Sequence, residues 1–144
     1  MIHTGSCHCG SVQVTLDSDN HAEAIIPRAC QCTFCRKNGI NWYSDPDGQL
    51  RIEYAAAQEP IFYRFGMKIA DFVICSRCGV CLAAIEKDGG QARAVVNLNC
   101  IDSHQNWSKK SCPVDFDNDN ETGRVQRHQK NWMPVQIIKK QEQN

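Results

Sequence analysis

Seven of the ten cysteines fall into three tight clusters: Cys7-His8-Cys9, Cys30-Gln31-Cys32-Thr33-Phe34-Cys35 and Cys75-Ser76-Arg77-Cys78. Thiolates this close in sequence can converge on one cation, because Zn–S bonds of about 2.3 Å hold neighbouring sulfurs within about 4 Å of each other. Disulfide partners are usually farther apart, since closing a larger loop removes more entropy from the unfolded chain. Seven sulfurs divide into one site of four and one site of three. A zinc with three protein ligands keeps a coordination position for chemistry.

The glycines suggest how the clusters pair. The first and third end in Cys9-Gly10 and Cys78-Gly79. A metal knuckle turns its amides toward the sulfurs, and the residue after the second ligand then needs a positive φ, which glycine adopts freely. The middle cluster runs on into Arg36 and Lys37, with no glycine until Gly39. Cys7, Cys9, Cys75 and Cys78 are therefore expected to form a closed structural site, leaving Cys30, Cys32 and Cys35 as a three-thiolate claw. Two alternatives stay open: Cys30 and Cys32 could join Cys75 and Cys78, or the claw could take a fourth ligand from His8, His104, Cys100 or Cys112. Arg36 and Lys37 are candidates to offset thiolate charge or hold a substrate carboxylate, with Arg124 and Arg127 as a second basic group. Cys81 and Cys100 lie in apolar runs and read as small core residues. Cys112, before Pro113 in a polar stretch, reads as a free thiol. Redox use of a C-x-x-C pair would want a βαβ context that the chain lacks. His3, His21 and His128 read as surface residues, and Trp42, Trp107 and Trp132 as packing.

The elements that must position these residues read mostly as short strands. Ser11–Leu16 and Gln49–Tyr54 alternate polar and apolar, as half-buried strands do. Ile61–Phe65, Phe72–Ile74, Val80–Ile85 and Ala94–Leu98 are further candidates, with turns at Asp17–Asn20, Asp45–Gly48, Gly66 and Asp88–Gly90. Helical turns are expected after Cys32 or near Ala55–Ala57. No long 3.6-residue period is evident, so the expectation is a mostly β domain over 1–138, with a core of 5–102 and an extension of loops and short extended pieces over 103–138. Residues 139–144 are expected to fray.

The chain has 144 residues, with sixteen Lys plus Arg against sixteen Asp plus Glu, so its formal net charge is zero. No global field draws it to nucleic acid or an anionic membrane. The acidic run Asp115, Asp117, Asp119 and Glu121, followed by Arg124, Arg127, His128 and Lys130, reads as a solvated loop and then a solvated basic face. Met1–Ser6 lacks the pattern of a signal peptide, and no apolar stretch approaches the roughly 20 residues of a membrane span. The expectation is a cytoplasmic protein, in a reducing compartment that favours metal binding over disulfides.

Gly5-Ser6-Cys7-His8-Cys9-Gly10-Ser11-Val12, then Cys30-x-Cys32-x-x-Cys35-Arg36-Lys37, then Phe72-Val73-Ile74-Cys75-x-x-Cys78-Gly79-Val80, resemble the glutathione-dependent formaldehyde-activating enzyme family, which includes centromere protein V. Asn97–Asp102 is similar to that family's closing strand. Asp115-Phe116-Asp117 and Trp132-Met133-Pro134-Val135 look like the tail of one bacterial subgroup. Cys81, and Gln31 where His is frequent, depart from the pattern without removing a ligand. The resemblance implies a β-tent fold shared with a Rab-exchange chaperone, and two zinc ions per chain. The structural zinc would use the first and third motifs and the catalytic zinc the second. It further implies a carbon–sulfur lyase acting on glutathione adducts of small aldehydes, with glutathione as co-substrate. The alternative is a non-catalytic zinc β-module that binds a protein partner.

Overall fold

A computed structural model describes residues 1–87, 91–103, 105–116 and 118–141. The turn expected at Asp88–Gly90, the candidate ligand His104, Asp117 of the acidic run and the last three residues of the expected frayed tail lie outside the described residues.

In chain order the elements are β1 (Ile2–Ser6), β2 (Val12–Asp17), β3 (Arg28–Cys30), α1 (Thr33–Asn38), β4 (Trp42–Tyr43), β5 (Gln49–Ala55) and β6 (Ile61–Tyr63). They continue with β7 (Asp71–Ile74), β8 (Cys81–Glu86), β9 (Arg93–Asn97), α2 (Trp107–Lys110), β10 (Cys112–Val114), α3 (Glu121–Asn131) and β11 (Met133–Lys140). The domain is mostly β, with an open sheet of β-tent type. Both expected helical turns form, as α1 and as a 3₁₀ turn at Ala56–Gln58. Among the described residues no helix is long and apolar enough to cross a membrane.

β11 joins the two slopes of the tent. Met133 and Pro134 pair antiparallel with Ala94 and Arg93 of β9, and Val135–Lys140 then pair parallel with β5. On one side β5 continues antiparallel to β2 and β1. On the other, β9 carries β8, β7 and β6 along one edge, while its second edge leads through β4 and β3 to β10. β8 and β9 form a partition covered on both faces. Leu82, Ile85, Ala94 and Val96 pack into the larger core with Val14, Leu16, Leu50 and Ile52. Cys81, Ala84 and Val95 pack into a second core with Cys35, Ile40, Trp42 and Trp132. Successive strand side chains point to opposite faces, so a strand buried on both sides reads as an unbroken apolar run, as Val80–Ile85 does.

The C-terminal third differs from its expectation. Residues 103–138 are no appendage to a core of 5–102, because β11 sits in the middle of the strand order. Lys139 and Lys140 do not fray: they pair with Tyr54 and Ala55, and Lys140 Nζ donates to Gln13 Oε1 at 2.8 Å. α3 was not expected at all. Its one aliphatic residue is Val125, so an apolar period has nothing to register. Local polar signals start it instead: the Asn120 side chain caps it by accepting from Gly123 N at 2.7 Å, and Glu121 in the first turn suits the helix dipole.

Candidate metal centre

The first and third cysteine clusters meet. Cys7, Cys9, Cys75 and Cys78 place their sulfurs within 4.8 Å of one another, with Cys7–Cys9 and Cys9–Cys75 both at 3.7 Å. Bonds of about 2.3 Å in a tetrahedron require sulfur pairs about 3.8 Å apart, whereas a disulfide needs about 2.05 Å. The donor set therefore fits a tetrahedral thiophilic cation. Both knuckles are built alike. Cys7 N donates to Val12 O and Cys75 N to Val80 O, each at 2.9 Å, and Gly10 and Gly79 turn the chain at φ +84° and +82°. Val12 N reaches back to Cys7 Sγ, and Arg77 N and Cys78 N to Cys75 Sγ, all at 3.4 Å. Burial pushes the Cys7 thiol up to about 12, whereas hydrogen bonds from Ser11 pull the Cys9 thiol down to about 6.

The middle cluster is made differently. Cys30 ends β3, Cys32 is the N-cap of α1 with its sulfur accepting from Cys35 N at 3.4 Å, and Cys35 lies one turn into the helix. Gly39, at φ +60°, closes α1 as its C-cap. The three sulfurs lie within 4.8 Å of one another, and among the described residues no further Cys, His, Asp or Glu joins them. Thus Cys30 and Cys32 do not join Cys75 and Cys78. His8, Cys78 and Cys100 border a separate groove, and Cys112 is an exposed free thiol. Cys81 and Cys100 are core residues, each pushed up to about 12 by burial. Trp42 Nε1 donates to Cys35 Sγ at 3.2 Å, and the hydrogen bond from Cys35 pulls the Cys30 thiol down to about 6.

The claw lies on the wall of a cavity of about 120 Å³. Trp42, Phe72, Ala84 and Val95 come to it from the sheet, Phe65, Met67 and Ile69 from the β6–β7 connection, and Phe116, Arg124, Arg127, His128 and Trp132 from the C-terminal segment. β10 places that segment. It pairs parallel with β3, and Gln31 N donates to Val114 O at 2.9 Å, tying the strand beside the claw.

Arg36 and Lys37 are exposed on α1 and do not line this cavity. The basic residues that do are Arg28, Lys68, Arg124 and Arg127. Arg28 donates to Ser44 Oγ at 2.7 Å, and burial, followed by repulsion from Arg127, lowers its pKa. Arg124 donates to Phe116 O, whereas Arg127 pairs with Asp119 Oδ2 at 2.9 Å and lies over the Phe116 ring at 3.6 Å. The basic face expected in solvent is thus partly turned inward. His128, expected at the surface, is buried at 3% exposure, bonded through Nδ1 to Glu86 Oε2 at 3.0 Å and stacked on Trp132. Burial, then Arg127 and Arg124, depress its pKa to about 3, so the imidazole is neutral near pH 7. The signal that could have found this wall is the four-residue spacing of Arg124 and His128 on one face of α3, followed by Trp132 at its C-cap.

The chain is similar in fold to a crystal structure of a Rhodobacter sphaeroides protein solved as a structural-genomics target, at 24% identity and a TM-score of 0.59, covering 76% of this chain and 97% of that one. The family model described as glutathione-dependent formaldehyde-activating enzyme matches residues 2–113, which contain both cysteine clusters and stop just short of the wall built by Phe116–Trp132. On that match, this chain belongs to the glutathione-dependent formaldehyde-activating enzyme family.

Proposed function

We propose that this protein is a zinc-dependent carbon–sulfur lyase acting on glutathione adducts of small aldehydes, with one zinc in each cysteine cluster. The observation that carries the reading is the contrast in ligand number: four sulfurs complete one site, whereas three sulfurs border a cavity at the other. Zn²⁺ bound by Cys30, Cys32 and Cys35 would supply Lewis acidity and one further coordination position, at which a thiol is deprotonated.

The chain's own residues supply the rest. α1 fixes Cys32 and Cys35 one turn apart, and the Trp42 indole N–H steadies Cys35 Sγ and offsets its charge. Arg28, Arg124 and Arg127 offer guanidinium groups to the carboxylates of the tripeptide, taking the role first assigned to Arg36 and Lys37. The aromatic walls exclude water from the reacting carbon. In the forward direction the thiol adds across the carbonyl: a C–S bond forms, the thiol proton ends on the carbonyl oxygen, and nothing is oxidised or reduced. The reverse breaks that bond. Ten cysteines with no disulfide among them suit a reducing cytoplasm.

The second reading, a zinc β-module that docks a protein partner, draws on the exposed Ile61, Phe62 and Tyr63 of β6, with Met67 nearby in the β6–β7 connection. Cobalt-substituted protein separates the two. Millimolar glutathione is expected to intensify the sulfur-to-metal charge-transfer band, and S-methylglutathione, which supplies no thiolate, to leave it unchanged. Exchange between formaldehyde and its glutathione adduct, followed by NMR on the zinc protein, is expected to exceed the uncatalysed rate and lose that excess in Cys32→Ser. A cobalt spectrum indifferent to glutathione would sink the lyase reading in favour of the docking module.

A further inference from the structure

The shape of the cavity bears on which aldehyde is carried. A formaldehyde adduct would place only one carbon and one oxygen against the apolar lining beside the claw, in a cavity of about 120 Å³ whose guanidinium side takes the carboxylates of the tripeptide. That volume approaches the roughly 150 Å³ of an apolar cavity able to hold benzene. Its lining divides by chemistry. Arg28, Arg124 and Arg127 form a cationic group in which Arg127 repels Arg28. Trp42, Phe65, Phe72, Ala84 and Val95 are apolar, and Phe72 stacks on Phe65 at 4.9 Å and meets Trp42 at a tilt at 6.0 Å. This apolar part lies against the claw itself, since Cys30, Cys32 and Cys35 belong to the same packed cluster as Trp42, Ala84, Val95 and Phe72. Water held there would find few polar partners, so filling the space with hydrocarbon is favourable.

We propose that the aldehyde is apolar, with a chain of about four to six carbons or a small ring, and that its hydrocarbon group fills the aromatic side of the claw cavity. This rests on the lyase reading, because it takes the glutathione sulfur to sit at the claw. The chemistry is unchanged: the thiol adds to the C=O of R–CHO, the C–S bond forms, and the proton ends on the hydroxyl of the hemithioacetal without redox change. What changes is R, which is hydrogen in formaldehyde and a hydrophobic group here. Phe116, Arg124, Arg127, His128 and Trp132 of the surrounding wall lie beyond the family-matched residues.

The S-alkylglutathiones mimic the adduct skeleton and cannot exchange, so calorimetry on the zinc-loaded full chain reads binding without turnover. Affinity is expected to rise about fourfold per methylene from S-methyl- to S-butylglutathione, as about 0.8 kcal/mol per buried CH₂ implies. S-benzylglutathione should bind at least as well as the butyl compound. Ala84→Val, which narrows the cavity, is expected to cut S-butylglutathione affinity roughly tenfold and S-methylglutathione affinity far less. Phe65→Ala, at a half-buried position in the β6–β7 connection whose loss should not threaten folding, is expected to flatten the same series by removing the ring stacked on Phe72. Exchange rates should favour butanal over formaldehyde in parallel.

A flat alkyl series in the wild type, with glutathione still perturbing the cobalt spectrum, overturns the apolar aldehyde and leaves the lyase reading standing. Failure of glutathione and all its S-alkyl derivatives to bind overturns both. Butyl methyl sulfide, a thioether without the tripeptide, binding as tightly as S-butylglutathione would show that the tripeptide contributes nothing, which also removes the lyase reading.

Discussion

The two cysteine clusters place similar sulfur spacings in opposite settings. The four-sulfur cluster joins Cys9 to Cys75 across 66 positions, through two knuckles that bury Cys7 and Cys75 and tie the β1–β2 hairpin to the β7–β8 turn. The three-sulfur cluster is local, spanning Cys30 to Cys35, and closes no long loop. Removing a cation from the first would free two distant chain segments, whereas removing one from the second would leave a helix turn still packed against Trp42. The same ligand chemistry serves as a clasp in one place and as the side of a cavity in the other. What separates them, among the described residues, is the number of sulfurs gathered, four in one place and three in the other.

The largest effect that would break this contrast is Cys75→Ser against Cys32→Ser. The first is expected to lower unfolding free energy by several kcal/mol, on the order of 3–5, because metal binding at a closed site is folding free energy. The second should leave the urea midpoint nearly unchanged while emptying the claw. A graded chelator should likewise strip the claw early and the four-sulfur site only as the fold melts. Equal losses of stability in the two variants would make both sites clasps.

A second, pH-dependent effect concerns the wall beside the claw. The folded pKa of His128 is depressed from 6.5 to about 3, so the unfolded chain takes up a proton that the folded chain refuses. The resulting sign is fixed: this contribution is neutral above pH 6.5, and stability falls as the pH drops toward 3. Urea midpoints at pH 7 and pH 5 should show that loss in the wild type and a smaller one in His128→Gln. An equal slope in both would mean that His128 is not buried in its neutral form.

Smaller still is Trp42→Phe, which keeps the ring and deletes the N–H that donates to Cys35 Sγ. Losing such an outer hydrogen bond is expected to weaken metal at the claw about tenfold, near 1.4 kcal/mol, and to leave the four-sulfur site untouched. Competition with a colorimetric chelator would measure both. The smallest effect is a paired substitution. A Cβ at Gly79 or Gly39 meets nothing within 4 Å, so each change to alanine costs only backbone strain, about 1 kcal/mol. Gly79→Ala should appear as a lower melting temperature, and Gly39→Ala as weaker metal retention at the claw. The reverse outcome would invert the assignment of clasp and cavity.

Sequence by itself determined the sulfur chemistry, because ligand spacing is local. The glycines after Cys9 and Cys78, and their absence after Cys35, separated two knuckles from one helical turn, and the apolar runs of β8 and β9 marked the buried partition. What faces the claw was decided only in three dimensions. α3 turns Arg124, Arg127 and His128 toward the cavity, and an inward face made of polar side chains leaves no apolar period to read. Arg36 and Lys37, adjacent to a ligand in the chain, point elsewhere because a helix turns about 100° per residue. β11 reaches the centre of the sheet through pairings with β5 and β9, some 85 and 40 residues earlier in the chain, and no local preference encodes partners at that distance.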